Sequence, residues 1–398
     1  MQTALAAGLV TMVAAAAIWL SYELYRLLVQ PASIGSLPIA PRGVDLELPH
    51  AMATDWFAGA PVYTGRNGER HPHPPASMAI LWPVYGWPSL ATSMVVYLVV
   101  TLVALAWIVV VAVRESGATS PLERMFVAFV PLATDPAGAT IGNGQTTVYV
   151  LAALLAALLL LRDRPPGWVR DLAAAGLLLV SLAKPSVSAP FVLVALVMTG
   201  GMRPVALLAG AYVALTLFAA SYQPLSLHDQ FAHFLAHASR IGALHDDVNL
   251  HALVAWLGLR SWMAGASGAV LALVAWWLWR HRRCDLWLLL GVTALATRFW
   301  TYHRWYDDLL VVVPLVTLFR LAKGGANAPD RRAGALFALT LVLLLAPGGL
   351  YLLPPPWVHA YVGAQAFVWI SVMGFLAMLA RREMADRRRS PASPATRD

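Results

Sequence analysis

A chain of 398 residues that is 59% hydrophobic and only 12% charged is not a soluble globular protein, because such proteins carry about 25% charged residues. Its apolar excess needs lipid as solvent. The net charge of +8 does not point to nucleic acid, since the basic residues fall in short loops between apolar runs rather than along one soluble face.

The apolar runs are continuous and lack the alternation of barrel strands, so they predict an all-α polytopic membrane protein. The first run, about 4–29, is too long for a signal-peptide core and shows neither a preceding basic residue nor a convincing cleavage site. It is expected to be a retained signal anchor. A long polar stretch rich in Pro and Gly follows over 30–77, holding Asp45, Glu47, Asp55, His71 and His73. Further spans are expected near 89–113, 125–135, 146–161, 171–184, 186–200, 204–221, 262–280, 286–300, 308–322, 333–347 and 360–380, giving about 12 in all. Several fall short of the roughly 17 residues a straight crossing needs, which predicts tilted, broken or re-entrant segments. A second polar loop, about 221–250, carries His228, His233, His237, Arg240, His245, Asp246 and Asp247. No internal repeat is evident. Residues 1–380 read as one membrane domain, and 381–398 as a disordered basic tail.

Arginine placement sets the expected topology. Arg114, Arg124, Arg162, Arg164, Arg170, Arg203, Arg280, Arg282, Arg283, Arg320, Lys323, Arg331 and Arg332 all fall in loops on one side. The positive-inside rule makes that side cytoplasmic, together with both termini. The two long polar loops then face outward, and the expected location is a bacterial inner membrane. Cys284 is the only cysteine, which leaves neither a disulfide framework nor a cysteine metal site. His233 and His237 stand one helical turn apart without an evident third ligand, so an interfacial helix is favoured over a metal site.

The acidic residues lie in loops or at span ends, not at mid-depth, which weighs against an ion-coupled transporter. An active site at the outer surface fits better, and a transferase working there must draw its sugar from a lipid carrier, because nucleotide sugars are absent. Asp45-Leu46-Glu47-Leu48, then Gly59-Ala60-Pro61-Val62-Tyr63, then His73-Pro74-Pro75 and Pro83 form an ordered set. Gly144-Gln145, Lys184-Pro185 and Trp305-Tyr306-Asp307-Asp308 follow in order. This succession, over roughly 1–320, resembles the bacterial polyprenol-phosphate-mannose-dependent mannosyltransferases of the GT-C fold. These are glycosyltransferase family 87-like enzymes related to the phosphatidylinositol mannoside mannosyltransferases. Two positions depart from the family pattern: Asp307 and Asp308 replace a His pair, and His73 stands where an aromatic is usual.

The resemblance implies a GT-C-like bundle with extracytoplasmic loop helices. It implies transfer of mannose or another hexose from a polyprenyl-phosphate donor to a lipid or glycan acceptor, with inversion and no cofactor. Asp45 is the expected general base, with Glu47 and Asp55 as fallbacks; its bland reading is a loop-helix cap. One carboxylate suffices because the phosphate leaving group needs no protonating acid, unlike the paired carboxylates of glycosidases. Lys184, Arg298, His303 and Arg304 are the expected ligands of the donor phosphate, the alternative for the arginines being a headgroup-level belt with Trp300 and Trp305. Glu47, His73, Gln145, Asp307 and Asp308 are expected to line the substrate site. A flippase or transporter of lipid-linked sugars is the competing reading, with an envelope-complex scaffold behind it.

Overall fold

The computed structural model describes residues 2–29, 43–63, 73–87, 89–243, 249–324, 329–345, 354 and 356–389. Among these residues the chain is helical, with no strand. The helices are α1 (Gln2–Leu28), α2 (Val44–Phe57), α3 (Pro75–Tyr85), α4 (Leu90–Glu115), α5 (Pro121–Ala133), α6 (Asp135–Asn143), α7 (Thr147–Asp163), α8 (Trp168–Ser181) and α9 (Pro185–Val197). Then come α10 (Met202–Ala220), α11 (Leu227–Ala243), α12 (Leu250–Trp256), α13 (Met263–His281), α14 (Leu286–Trp300), α15 (Val312–Lys323), α16 (Arg331–Leu345) and α17 (Trp357–Arg389). A 3-10 turn, Trp305–Val311, leads into α15.

Each expected span coincides with helix, but the expected count of about 12 is not reached when length and apolarity are required together. Among the described residues five helices satisfy both requirements, namely α1, α4, α10, α13 with its preceding turn, and α17. A sixth is reached if α5 and α6, bent by 44° at their junction, form one broken span. The bend has a local cause: Pro131 and Pro136 flank Thr134, whose extended backbone ends one helix and caps the next. All nine residues of α6 are buried, so its irregular start is sheltered by protein rather than lipid. Helix α7 is apolar on every side and buried along most of its 17 residues, as befits a helix at the centre of a bundle. The two long polar stretches hold helices too: α2 lies in the first and α11 in the second, with α12 beginning where the second ends.

The last helix runs past residue 380, where a disordered tail was expected to start. Arg381–Arg389 extend α17 as helix instead of starting a disordered tail, and 390–398 lie outside the described residues, as do His71, His245, Asp246 and Asp247.

The two ends of the bundle differ in character. One gathers ion pairs: Arg114–Asp163 at 2.6 Å, Arg162–Glu115 at 2.7 Å, Arg170–Asp171 at 2.6 Å, Arg203–Asp171 at 3.1 Å and Lys323–Glu123 at 2.5 Å. The other holds α2, docked by specific polar contacts. Trp56 Nε1 donates to the Ala219 carbonyl at 2.8 Å, and Gln223 Nε2 donates to the Trp56 carbonyl at 2.9 Å. At the start of α2, Gly43 N donates to the Gly142 carbonyl at 3.1 Å. Close by, Gly144 has φ +79°, and a Cβ there would stand 2.4 Å from Leu46 Cβ and 3.0 Å from Leu46 N. A left-handed backbone and an abutting helix therefore both require glycine. Gly144→Ala is expected to destabilise the detergent-solubilised chain by about 1–3 kcal/mol. Gly176→Ala, with open space where its Cβ would point, is expected not to. Equilibrium unfolding of the two variants checks this.

Candidate active site

Three interruptions of helix converge at the end occupied by α2. They are the α6–α7 junction at Gly144–Thr146, the α8–α9 junction at Leu182–Lys184, and the 3-10 turn after α14. Lys184 is held at the second of these because Pro185 opens α9 and keeps its predecessor out of the helical region (φ −128°, ψ 81°). Its ammonium projects into the convergence and is mostly buried. Nζ donates to Asp307 Oδ1 at 2.6 Å, to Gln145 Oε1 at 3.1 Å and to Thr147 Oγ1 at 3.1 Å. Three donors thus meet three acceptors. The ammonium also stands 4.9 Å from the centroid of the Tyr306 ring, a cation–π distance. Thr147 Oγ1 also donates to Asp307 Oδ1 at 2.6 Å.

Asp45 joins this group from α2. It sits in the first turn, where the unpaired amides of a helix start favour a carboxylate, and Gln145 links it to Lys184. The Gln145 side chain hydrogen-bonds Asp45 while its Oε1 accepts from Lys184. Burial raises the Asp45 carboxyl above the usual aspartate range; the Gln145 hydrogen bond and the charges of Lys184 and Arg304 work against that rise, and Asp307 adds to it. Arg304, half-buried, donates from Nε to the Tyr302 hydroxyl at 2.5 Å. Its backbone N–H is 3.4 Å from Asp307 Oδ2. One end of the bundle therefore holds two carboxylates, an ammonium and a guanidinium.

The other expected residues distribute unevenly. Burial chiefly, with smaller contributions from the neighbouring Lys184 and His237, lowers the His73 imidazole to about 4. The His73 carbonyl accepts from the Tyr63 hydroxyl at 2.9 Å, and the Tyr63 ring stacks on His233 with centroids 6.3 Å apart, which brings α11 over the same region. His303 is fully buried, with Nδ1 3.3 Å from the Thr301 carbonyl. Burial lowers it to about 4, so both imidazoles are neutral at pH 7. Arg298 and Asp308 turn to each other. They form an ion pair with side chains 3% and 1% exposed, and the guanidinium lies 5.5 Å from the Trp369 ring centroid. Glu47 is half-buried in the first turn of α2 without a hydrogen bond or ion pair to the Lys184 group. Asp55 lies ten residues beyond Asp45, about 15 Å along the helix.

Thr147 and Tyr306 are members that the sequence reading missed. The signals were adjacency alone: Thr147 stands two residues after Gln145, and Tyr306 immediately precedes Asp307.

Breaking a largely buried ion pair by removing one partner typically costs about 3–5 kcal/mol. Lys184→Ala and Asp307→Ala are each expected to destabilise the chain by that order. The double variant should lose clearly less than the two losses combined, since neither charge is then stranded. Denaturant titration of the three variants in detergent measures the coupling.

Residues 72–301 match the sequence profile of glycosyltransferase family 87. No curated protein and no solved structure matches the chain. The matched stretch covers over half of the chain and includes Gln145, Thr147, Lys184 and Arg298. By that match and its multi-pass helical architecture, the chain belongs to glycosyltransferase family 87, a family of GT-C-type membrane glycosyltransferases.

Proposed function

We propose that the protein transfers a hexose, such as mannose, from a polyprenyl-phosphate donor to a hydroxyl of a lipid or glycan acceptor at the extracytoplasmic face, with inversion. The observation that carries this reading is the link from Asp45 through Gln145 to Lys184, which sets a carboxylate beside compensated cations at one polar end of the bundle. That end is opposite the arginine-rich loops, which favours an extracytoplasmic position.

In this mechanism the acceptor hydroxyl hydrogen-bonds Asp45 and gives up its proton as its oxygen attacks the anomeric carbon. The bond from that carbon to the phosphate oxygen breaks on the opposite face, and the phosphate leaves with the bonding pair. Lys184 has all three protons engaged, so it acts through its field or by exchanging a partner for phosphate oxygen. Arg304 keeps partial solvent access and offers a planar fork of donors to phosphate. His303 is neutral and serves as a hydrogen-bonding group, not as a cation. Arg298, paired with Asp308, braces the turn that carries Arg304 and Asp307. His73, Gln145 and Asp307 border the volume between base and cations, with Glu47 and Asp308 at its periphery.

Asp45→Asn should lower transfer from a labelled polyprenyl-phosphate sugar by about 10²–10⁴-fold with donor binding retained. Turnover close to wild type would remove Asp45 as the base, and lipid-linked sugar translocation unaffected by Asp45→Asn would favour the flippase. Because the raised Asp45 carboxyl must be ionised to act, kcat/KM should fall with decreasing pH at a limb above about 3.9, the ordinary aspartate value. Gln145→Leu removes a bond that favours the ionised form. The limb should then move to higher pH, as read from pH–rate profiles.

A further inference from the structure

At the end of the bundle opposite Asp45, α13 and the extension of α17 enclose a basic recess that the transfer reaction leaves unused. Helix α17 has 33 residues, about 50 Å at 1.5 Å per residue, and so outruns a hydrocarbon core of about 30 Å. Its overhang is fastened to the loop after α13: Cys284 Sγ donates to the Ala380 carbonyl at 3.3 Å, and Asp285 N donates to Glu383 Oε2 at 3.1 Å.

The facing surfaces follow helical spacing. Trp276 and Arg280 lie on one side of α13, with Arg283 just past its end, opposite Arg381, Met384 and Arg388 on α17. Two adjoining hollows result, of about 420 and 680 Å³, sharing Trp276, Arg280, Met384 and Arg388 as their common wall. Arg283 and Arg387 border the first hollow, Arg381 and Arg389 the second. Of these arginines only Arg387 has a carboxylate partner among the described residues, Glu383 at 2.9 Å. So many cations around one space repel one another unless an anion enters. The walls are amphipathic as well. Trp276 and Trp279 are more than half exposed, and the Arg282 guanidinium lies 4.0 Å from the Trp279 ring centroid, the arrangement of an aromatic belt at headgroup level.

We propose that this recess binds an anionic phospholipid whose headgroup carries two phosphates, one in each hollow astride the Arg280–Arg388 wall, with acyl chains along the exposed indoles. Charge complementarity selects an anion, and the exposed tryptophans beside it select one that brings apolar chains. Two hollows with a shared cationic wall select a diphosphoryl headgroup over a single phosphate.

The full chain, purified in detergent, would be titrated with tetraoleoyl cardiolipin and with dioleoyl phosphatidylglycerol at equal total charge, bound lipid being read by native mass spectrometry. Saturable binding of cardiolipin, about tenfold or more tighter than phosphatidylglycerol, is expected. Arg280→Gln with Arg388→Gln should weaken it by about thirtyfold. The control Arg331→Gln with Arg332→Gln removes the same charge from the exposed start of α16 and should change it by less than about twofold. Equal affinity for the two lipids overturns the proposal without recourse to any variant, and so does an equal loss in both double variants, which would mean diffuse attraction. Inorganic pyrophosphate that binds as tightly as cardiolipin and displaces it would overturn the lipid assignment in favour of a soluble anion.

Discussion

An ammonium group surrounded by apolar helices has to be compensated, and the way Lys184 is compensated organises the rest of the site. A charged side chain in lipid-embedded protein costs at least about 2.5 kcal/mol, which one counter-charge and two neutral oxygens offset here. Asp307 comes from the 3-10 turn after α14, and Gln145 and Thr147 from the start of α7. Satisfying one cation therefore fixes three chain breaks relative to one another. Breaks also leave backbone amides and carbonyls without helical partners, and those groups favour a polar neighbourhood. The polar cluster and the interrupted helices each need what the other provides.

Asp45 depends on that arrangement from outside it. Helix α2 is too short and too polar to hold its place alone, and its position follows from contacts with breaks already fixed. Gly43 bonds to the Gly142 carbonyl, and Leu46 presses on Gly144. At the far end, Trp56 and Gln223 lock α2 to the end of α10.

Much of this was legible from residue order. Runs of apolar residues gave the helical positions, and the succession of Asp45, Gln145, Lys184 and Asp307 pointed to residues that converge in space. What sequence did not reveal was which cations would be spoken for. Arg298 and Arg304 are six residues apart and look alike as phosphate ligands, yet Arg298 is sealed against Asp308 and Trp369 while Arg304 keeps solvent access. The difference arises because Arg298 belongs to the last turn of α14 and faces α17, a helix some sixty residues later in the chain. Span counting met a similar limit: apolar runs located α5 and α7, but α6 falls between two expected spans, and its burial on every side depends on neighbours. The tail read as disordered from its arginines and prolines, whereas its first nine residues continue a helix anchored by Cys284 and Glu383.

The charges at the site suit the proposed reaction in one further respect. With His73 and His303 neutral, Lys184 and Arg304 balance Asp45 and Asp307, so a bound phosphodiester donor would bring one net negative charge. Transfer frees a phosphate monoester carrying about −1.5 to −2, and in the same step the acceptor proton neutralises Asp45. The total at the site hardly changes; negative charge only moves from the carboxylate to the phosphate. Lys184 is linked through Gln145 to the carboxylate that loses the charge, and Arg304 lies near enough to Asp45 to oppose its rise. Cations fixed between the origin and the destination of a moving charge stabilise it throughout, with little reorganisation at the moment of reaction. The ion pair with Asp307 then has a purpose beyond stability, because it keeps the Lys184 ammonium in place before any donor arrives.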